Sequence, residues 1–244
     1  RKVVLICSDH TRPVPSKVIV PPMLREIRKG NPDAEVTIVI STGCHRPTTR
    51  EELIAKFGEE IVEKENIVIH KADESPVTFL GILHSGGELL INTIVAEADL
   101  VCSEGFIEPH FFAGFSGSRK SILPGVASRT TVLANHCSEF IASPYSRTGI
   151  LEGNPIHRDM VWAARKAGLA FICNVVINSE KEPIYAVAGD AEKAHEEGCR
   201  FLSSLCRVKA KKADIVISTN GGYPLDQNIY QAVKGMTAAE ATVN

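Results

Sequence analysis

Residues 2–10 read Lys-Val-Val-Leu-Ile-Cys-Ser-Asp-His, an apolar run of strand length that ends in polar residues. A run in which polar and apolar side chains do not alternate is typical of a strand buried on both faces. The pattern recurs at 35–43, which read Glu-Val-Thr-Ile-Val-Ile-Ser-Thr-Gly. Between the two runs, Met23, Leu24 and Ile27 have helical spacing. A buried strand, a helix and a second buried strand predict an α/β architecture.

The rest of the chain continues this alternation of strands and helices. Further strands are predicted at 66–70, 98–103, 171–178, 184–188 and 214–218, with hairpin-like or bulged β structure at about 78–91. Further helices are predicted from 49, at 159–167, at 191–208 and from about 226. The fold class is therefore α/β, with a doubly wound, mostly parallel, Rossmann-like sheet. Because a new strand follows the long helix, we divide the chain into an N-terminal α/β domain, 1–206, and the truncated beginning of a second α/β domain, 207–244.

Charge and composition exclude several classes of protein. The 244 residues include 27 basic and 29 acidic side chains, so no excess of positive charge favours nucleic acid or an anionic membrane as a partner. No apolar stretch reaches the ~18–20 residues of a membrane span. The seven cysteines form no C-x-x-C pair, which favours a reducing cytoplasm over a disulfide framework or a thiolate zinc site. The first residue is Arg1 rather than a methionine, and we expect the chain to be a piece of a longer protein.

Four polar clusters directly follow predicted strands, at 8–12, 41–46, 103–110 and 219–222. In open α/β sheets, ligands bind beyond the carboxyl ends of the strands, so we expect the four clusters to converge on one rim. The first cluster carries Asp9, His10 and Arg12, and the second carries His45 and Arg46. Each can be a turn with a surface ion pair. Together, at successive strand ends, they also suit the binding of a carboxylate or phosphate.

The segment 108–121 is the richest in residues that carry chemistry. Its small residues allow backbone N–H groups to approach a phosphate, and they are Gly114, Ser116, Gly117 and Ser118. Arg119 and Lys120 supply positive charge, and a partly desolvated lysine such as Lys120 can also be a covalent anchor. The Walker spacing and the G-x-G-x-x-G fingerprint do not occur. A flexible glycine loop is the simpler alternative.

Histidines supply the expected acid/base groups. His45 and His110 belong to the predicted rim, and two imidazoles facing one substrate suit proton transfer near neutral pH. His136, which follows Asn135, is by itself more often structural than a ligand. The remaining histidines outside the clusters are expected to be structural, and they are His70, His84, His157 and His195. These spacings alone do not name a reaction.

Several of these motifs resemble those of the nickel-dependent lactate racemase family. The similar segments follow one another in the same order along the whole chain, and they are Asp9-His10-Thr11-Arg12-Pro13, Gly43-Cys44-His45-Arg46-Pro47, 109–125, Asn135-His136 and Gln231-Ala232-Val233-Lys234. Members of the family are longer at both ends. In this chain Ser118 stands where a second glycine is usual. Since serine still offers its backbone N–H, we expect this departure to tune the site rather than abolish it.

The resemblance implies a nickel pincer cofactor, a thiolated pyridinium mononucleotide. By motif match, Lys120 resembles the lysine that binds the cofactor covalently through a thioamide. His136 resembles the histidine that completes the coordination of nickel. The residues expected to contact the cofactor beside Lys120 are Gly114, Ser116, Gly117, Ser118 and Arg119. The domain 1–206 is thereby expected to be the catalytic, cofactor-binding domain.

The resemblance also assigns the residues that act on the substrate. His45 and His110 resemble the two acid/base histidines. Residues expected at the substrate are Arg12, Gln231, Lys234 and Asp9, the last as a group that orients a neighbour. The implied reaction is racemisation of a 2-hydroxy acid, in which a histidine takes the hydroxyl proton as hydride leaves C2. Hydride then returns to the other face of the keto acid.

Two alternatives remain open. The first keeps the enzyme class but changes the substrate to another 2-hydroxy acid or a sugar-like acid. The second is a non-catalytic phosphate- or nucleotide-binding domain that uses only the loop 114–120. For the racemase, the implied partners are a small-molecule 2-hydroxy acid and the enzymes that mature the cofactor, and the expected location is the cytoplasm.

Overall fold

A computed structural model of the chain describes residues 1–223, 226 and 229–243, without the side chains of Tyr230 and Gln231. The strands of this part are β1 (Lys2–Ser8), β2 (Glu35–Ser41), β3 (Asn66–Ile69), β4 (Val77–Ile82), β5 (Glu88–Asn92), β6 (Leu100–Phe106), β7 (Pro109–His110), β8 (Gly114–Phe115), β9 (Leu169–Ile177) and β10 (Pro183–Asp190). Its α-helices are α1 (Ser16–Gly30), α2 (Arg50–Phe57), α3 (Glu59–Lys64), α4 (Thr93–Ala96), α5 (Arg129–Asn135), α6 (Ser138–Ala142), α7 (Pro155–Lys166), α8 (Lys193–Cys206) and α9 (Ile229–Glu240). A 3-10 turn spans Ser118–Ser121.

The main sheet has the strand order β10-β9-β6-β1-β2-β3 in the described part of the chain. All neighbouring strands are parallel except β10, which runs antiparallel to β9. At the centre of β1, Leu5 is in register with Ile38 of β2 on one side and Cys102 of β6 on the other. The prediction of an α/β fold with a doubly wound, mostly parallel sheet is confirmed. The strand order reverses between β1 and β6, and such a switch point opens a crevice at the carboxyl ends of the strands.

The apolar residues 3–7 of β1 are buried on both faces of the sheet, as their composition predicted. Val4 and Ile6 belong to the core cluster beneath the β4–β5 hairpin and α7. Leu5 and Cys7 belong to the cluster beneath α1 and α2 on the opposite face. Full burial of a side chain such as Ile6 contributes roughly 1.5–3 kcal/mol, so the central strand holds both helical layers in place.

The ends of two predicted helices follow from local capping signals. Asn154 caps α7 by accepting from the backbone N–H of Ile156 and His157, with Pro155 at the first helical position. Thr49 and Glu52 form the reciprocal capping box that begins α2. The start of α2 agrees with the helix predicted from 49, whereas α7 begins four residues before the predicted 159.

The predicted strand at 214–218 is wrong. Only an isolated bridge between Ala213 and Val243 forms in this region, and Ile215 and Ile217 are 83% and 90% exposed. A lone apolar run is not a stable strand without a neighbour for its hydrogen bonds, and the described residues place none beside it. The helix expected from about 226 begins at Ile229.

The division into 1–206 and 207–244 stays a prediction. Residues outside the described part are Pro224, Leu225, Gln227, Asn228 and Asn244. No helix among the described residues combines the length and the apolar character that crossing a bilayer requires.

Candidate active site

A cavity of about 510 Å³ opens at the switch point of the sheet. Its walls include the carboxyl ends of β1, β2 and β6 and the loops that follow them. Three of the four polar clusters therefore meet, as expected. The fourth cluster, 219–222, does not line the cavity, and among the described residues α9 contributes Val233 and Lys234 instead. The cluster 219–222 was expected at the rim because it follows the strand predicted at 214–218, and that strand does not form.

The buried carboxylate of Asp9 and the partly exposed imidazole of His45 form a pair in the cavity wall. Nδ1 of His45 lies 2.7 Å from Oδ2 of Asp9, and Asp9 is 1% exposed. Burial alone would raise the pKa of Asp9, but the hydrogen bond and charge of His45, the charge of Arg12 and the Thr11 hydroxyl lower it overall. Because an ionised carboxylate only accepts, Nδ1 of His45 carries the proton. In the neutral ring, Nε2 is then the nitrogen that accepts a proton.

Arg12 lines the same cavity from the loop after β1. Its Nη1 donates to Oγ1 of Thr11 at 3.1 Å. Lys56 of α2 donates to the Arg12 carbonyl at 3.2 Å. The backbone that carries the guanidinium is therefore held by Lys56 of α2, which suits a fixed contact between Arg12 and an anion.

Glu104 anchors the start and the end of the Arg12 loop. This buried carboxylate of β6 accepts from the backbone N–H and hydroxyl of Ser8, both at 2.8 Å, and from the hydroxyl of Ser16 at 3.2 Å. The sequence analysis placed Glu104 in the polar cluster 103–110 but gave it no role, although an acid so close to an apolar strand was a usable signal because buried carboxylates require partners.

His110 is fixed in the opposite tautomer to His45. Its Nδ1 accepts from the backbone N–H of Ala113 at 3.2 Å, so the ring proton lies on Nε2. The ring stacks on Phe111 and meets Phe112 edge-on, with centroids 4.9 and 4.6 Å apart. Burial, and then the charges of Lys120, Lys234 and Arg12, lower the pKa of His110 well below its ordinary value. His110 is therefore a neutral donor, whereas His45 is an acceptor.

Lys120 lies on the 3-10 turn and reaches into the cavity, with Nζ 5.7 Å from the centroid of the Phe112 ring. Burial, followed by the charges of Arg119, Arg12 and Lys234, lowers its pKa well below the ordinary value, against the opposing charge of Glu108. A neutral amine in a desolvated site is nucleophilic. The geometry suits a covalent anchor.

His136 directly follows α5 and lines the same cavity as Lys120. Its Nδ1 is buried and has no hydrogen-bond partner among the described residues. Burial, and then the charge of Lys120, lowers the pKa of His136 to about 3. A neutral imidazole with an unpartnered nitrogen can bind a metal ion. No cluster of three or more potential metal ligands of the His, Cys, Asp or Glu types occurs in the described residues, so a metal at His136 needs further ligands from a bound group.

The glycine-rich loop is more internally bonded than expected. The N–H of Ser116 donates to the Glu108 carbonyl, and that of Ser118 donates to Oδ1 of Asn174, both at 2.9 Å. The expectation that these two N–H groups approach an anion is not met in this structure. Ser116, Gly117 and Ser118 line the cavity, whereas Gly114 does not.

Two predicted cationic residues do not reach the cavity. Arg46 forms a bidentate ion pair with Glu52 on the surface. Arg119 is 2% exposed, and its guanidinium lies behind the glycine loop. Gln231 lies in α9, and its side chain is outside the described residues.

Comparison with known proteins decides the family. The Lactate racemase N-terminal domain matches residues 1–149, and the Lactate racemase C-terminal domain matches residues 208–244. The chain belongs to the lactate racemase family. It is 62% identical over 242 residues to the lactate racemase of Thermoanaerobacterium thermosaccharolyticum, and 61% identical over 241 residues to that of Lactiplantibacillus plantarum.

The matched length also bounds what the similarity shows. These alignments cover 99% and 98% of this chain but 57% of each lactate racemase. The structure of the lactate racemase apoprotein from T. thermosaccharolyticum superimposes with a TM-score of 0.97 at 61% identity, covering 100% of this chain and 59% of that one. A Thermotoga maritima protein, with a TM-score of 0.74 and 22% identity over 90% of this chain and 58% of its own, shares the fold. The chain thus spans a little under three fifths of the relatives it matches.

Proposed function

We propose that the protein is a nickel-dependent racemase of a 2-hydroxy acid, with lactate as substrate. The observation that carries this proposal is a single cavity lined by His45, His110, Lys120 and His136. It brings together two acid/base groups, a desolvated amine and a neutral imidazole. The lactate racemases that are 61–62% identical to this chain support the choice of substrate.

The residues present fit a nickel-pincer pyridinium mononucleotide. The lowered pKa of Lys120 favours the neutral amine that a covalent link requires. The buried, unpartnered Nδ1 of His136 offers one protein ligand to nickel, and the remaining ligands come from the organic group. When bound, the group supplies the site that accepts the hydride from C2 of the substrate and returns it.

Substrate binding falls to the cations of the cavity. Arg12 and Lys234 both line it and lie close enough for each to lower the pKa of buried groups nearby. A substrate carboxylate would relieve this crowding of positive charge, which favours binding of an anion. Arg12 suits a bidentate contact because of its fork of N–H donors.

Proton transfer falls to the two histidines. His45, with Nδ1–H held by Asp9, accepts the hydroxyl proton at Nε2 as C2 loses hydride. His110 acts in the mirror-image step as the imidazolium: it gives a proton to the oxygen on which charge develops when hydride returns to the other face, and a neutral imidazole remains. One turnover therefore moves one proton from His110 to His45, and racemisation in the opposite direction moves it back. A bound carboxylate lowers the positive charge around His110 and so raises its pKa, which supports its role in the mirror-image step.

The test uses the whole protein, produced together with the cofactor-maturation enzymes that we propose as its partners. Intact mass should show an adduct on Lys120 with bound nickel, and Lys120→Ala should show neither. His45→Ala and His110→Ala should each abolish lactate racemisation and leave cofactor loading largely intact. Full activity in both histidine variants contradicts the mechanism.

The same preparation tests the alternatives. Activity on other 2-hydroxy acids or sugar-like acids, at a higher kcat/KM than on lactate, would change the substrate but keep the mechanism. Phosphate binding by an unmodified Lys120 protein would favour a non-catalytic module. The internal hydrogen bonds of the Ser116 and Ser118 N–H groups argue against that module, because a phosphate-binding loop needs such donors unpaired.

A cytoplasmic location remains part of the proposal. All seven cysteines lie in the described part of the chain and are free thiols there. Free thiols in this number suit a reducing compartment. Fractionation of cells that produce the whole protein tests this location.

A further inference from the structure

Arg119 is buried on the side of the glycine loop that faces away from the active-site cavity. It lies against a second, smaller cavity of about 130 Å³, together with His157 and His195. None of the ion pairs formed by the described residues includes Arg119, although it is 2% exposed. A buried guanidinium without a carboxylate is costly, so its other contacts must justify it.

Those contacts join the two ends of the loop. Nη2 of Arg119 donates to the Ala113 carbonyl at 2.8 Å, while Nη1 donates to the carbonyls of Ser116 and Gly117, both at 3.2 Å. One planar side chain thus binds three carbonyl groups spread over five residues. The next residue in the chain is Lys120, so the backbone that is fixed is the one that presents the amine to the cavity.

Two neutral histidines complete the cluster. Nε of Arg119 donates to Nδ1 of His157 at 3.1 Å, and Nη1 lies 2.8 Å from Nε2 of His195. The same Nε2 lies 2.8 Å from the Ser116 carbonyl, which Arg119 also contacts. Burial and the charge of Arg119 lower the pKa of His157 to about 3. Asp190, Glu192 and Glu196 also line this cavity, but none of them forms an ion pair with Arg119. The donors of Arg119 are therefore left to carbonyl and imidazole acceptors.

We propose that Arg119 is a positioning residue, whose fork of donors fixes the loop 113–118 and thereby sets the direction in which Lys120 enters the cavity. Lysine cannot replace it, because a single ammonium group cannot reach carbonyls at both ends of the loop in one plane. The consequence for catalysis rests on the proposed function of Lys120. The ordering of the loop does not depend on that function, and it is measured separately.

The test compares Arg119→Lys with Arg28→Lys in the whole protein. Arg28 forms a bidentate ion pair with Glu65 on the surface, so its replacement by lysine is a matched change away from the loop. In hydrogen–deuterium exchange of the cofactor-free protein, amides of 113–121 should exchange at least about tenfold faster in Arg119→Lys, with 3–7 of β1 unchanged. Arg28→Lys should leave both segments unchanged. Unchanged exchange at 113–121 in Arg119→Lys overturns the proposal.

Kinetics of the loaded enzyme separates positioning from direct contact. Arg12 lies on a different loop, so Arg119→Lys should lower kcat by about tenfold or more while KM stays within about twofold. A raised KM with unchanged loop exchange would mean that Arg119 contacts the substrate. An unchanged kcat would mean that catalysis does not depend on the ordering of the loop.

Should Arg119→Lys fail to fold, His157→Leu removes the acceptor of Nε alone. It should raise exchange in the same segment about threefold, and no rise overturns the proposal.

Discussion

The Asp9 carboxylate lies 2.7 Å from Nδ1 of His45, across the carboxyl ends of two adjacent parallel strands. The register of β1 and β2 creates this pair, because Ser8 is opposite Ser41 and the loops that follow the two strands begin side by side at the same edge of the sheet. Oδ1 of Asp9 also accepts from the Thr11 hydroxyl at 2.6 Å, which fixes the carboxylate itself. The tautomer of His45 is therefore determined by the fold and not by the substrate.

Replacing Asp9 with asparagine should impair catalysis much more than binding. In Asp9→Asn the amide can donate to Nδ1 of His45, which moves the ring proton to Nε2 and removes the proton acceptor. We expect kcat for lactate racemisation to fall about 100-fold or more, with KM changed by less than about threefold. Steady-state rates from both enantiomers measure this.

The matched control is His84→Gln, which breaks a different carboxylate–imidazole pair. Nδ1 of His84 lies 3.0 Å from Asp159, and neither residue lines the active-site cavity. We expect its kcat to equal that of the parent. An equal loss in both variants would mean that Asp9 acts through general stability.

Lys234 should make substrate capture sensitive to alkaline pH. Burial, followed by the charge of Arg12, lowers its pKa to about 8, against the opposing charge of Glu108. The ammonium group therefore loses its charge between pH 7 and 9, below the range of an ordinary lysine. We expect kcat/KM for lactate to fall by about tenfold across this interval, since it reports the free enzyme.

Lys234→Arg provides the comparison, because arginine remains charged throughout. Its kcat/KM should be nearly constant between pH 7 and 9, whatever its absolute value. The same fall in parent and variant would assign the titration to another group.

Much of the fold could be predicted because its signals are local. The apolar run at 3–7 and the largely apolar run at 36–40 favour burial on both faces, and the capping residues Thr49 and Asn154 set helix starts. The strand at 214–218 failed because its formation depends on a neighbouring strand. An apolar run alone carries no information on whether such a neighbour is present.

The candidate site was predictable in part for the same reason. Strand ends at one edge of a sheet must meet, which brought Asp9 and His45 together. Arg119 was misplaced because residue type indicates charge but not the side of the loop on which a side chain lies. The role of Glu104 was missed because the groups that donate to its carboxylate belong to Ser8 and Ser16, which lie 96 and 88 positions away in the sequence.

Ser118 should be a tolerated departure from glycine because one gain offsets one cost. Its φ of +46° strains a residue with a side chain, while its hydroxyl donates to the Ala191 carbonyl at 2.5 Å. Ser118→Gly removes both, and we expect its free energy of unfolding to lie within about 1 kcal/mol of the parent. Ser118→Ala keeps the strain but loses the hydrogen bond, and we expect a loss of about 1–3 kcal/mol. Urea unfolding measures both, and an unchanged Ser118→Ala would contradict the offset.

Gly114 should be the least replaceable residue of the loop. Its φ is +79°, and a Cβ there would lie 2.3 Å from the Ile150 carbonyl oxygen. Gly149, whose N–H donates to the Gly114 carbonyl at 2.9 Å, has nearly the same φ, +77°. A Cβ at Gly149 would meet only Phe115, at 3.9 Å. The two glycines thus share a backbone conformation but differ in the space around them.

This pair separates backbone strain from steric exclusion. Gly149→Ala adds strain alone, and we expect a loss of about 1–2 kcal/mol in the free energy of unfolding. Gly114→Ala adds the same strain and must also displace the backbone at Ile150, so we expect at least about 2 kcal/mol more. Urea unfolding of the cofactor-free whole protein measures both losses. Equal losses would mean that the segment around Ile150 moves aside without cost, and that Gly114 is required only for its φ.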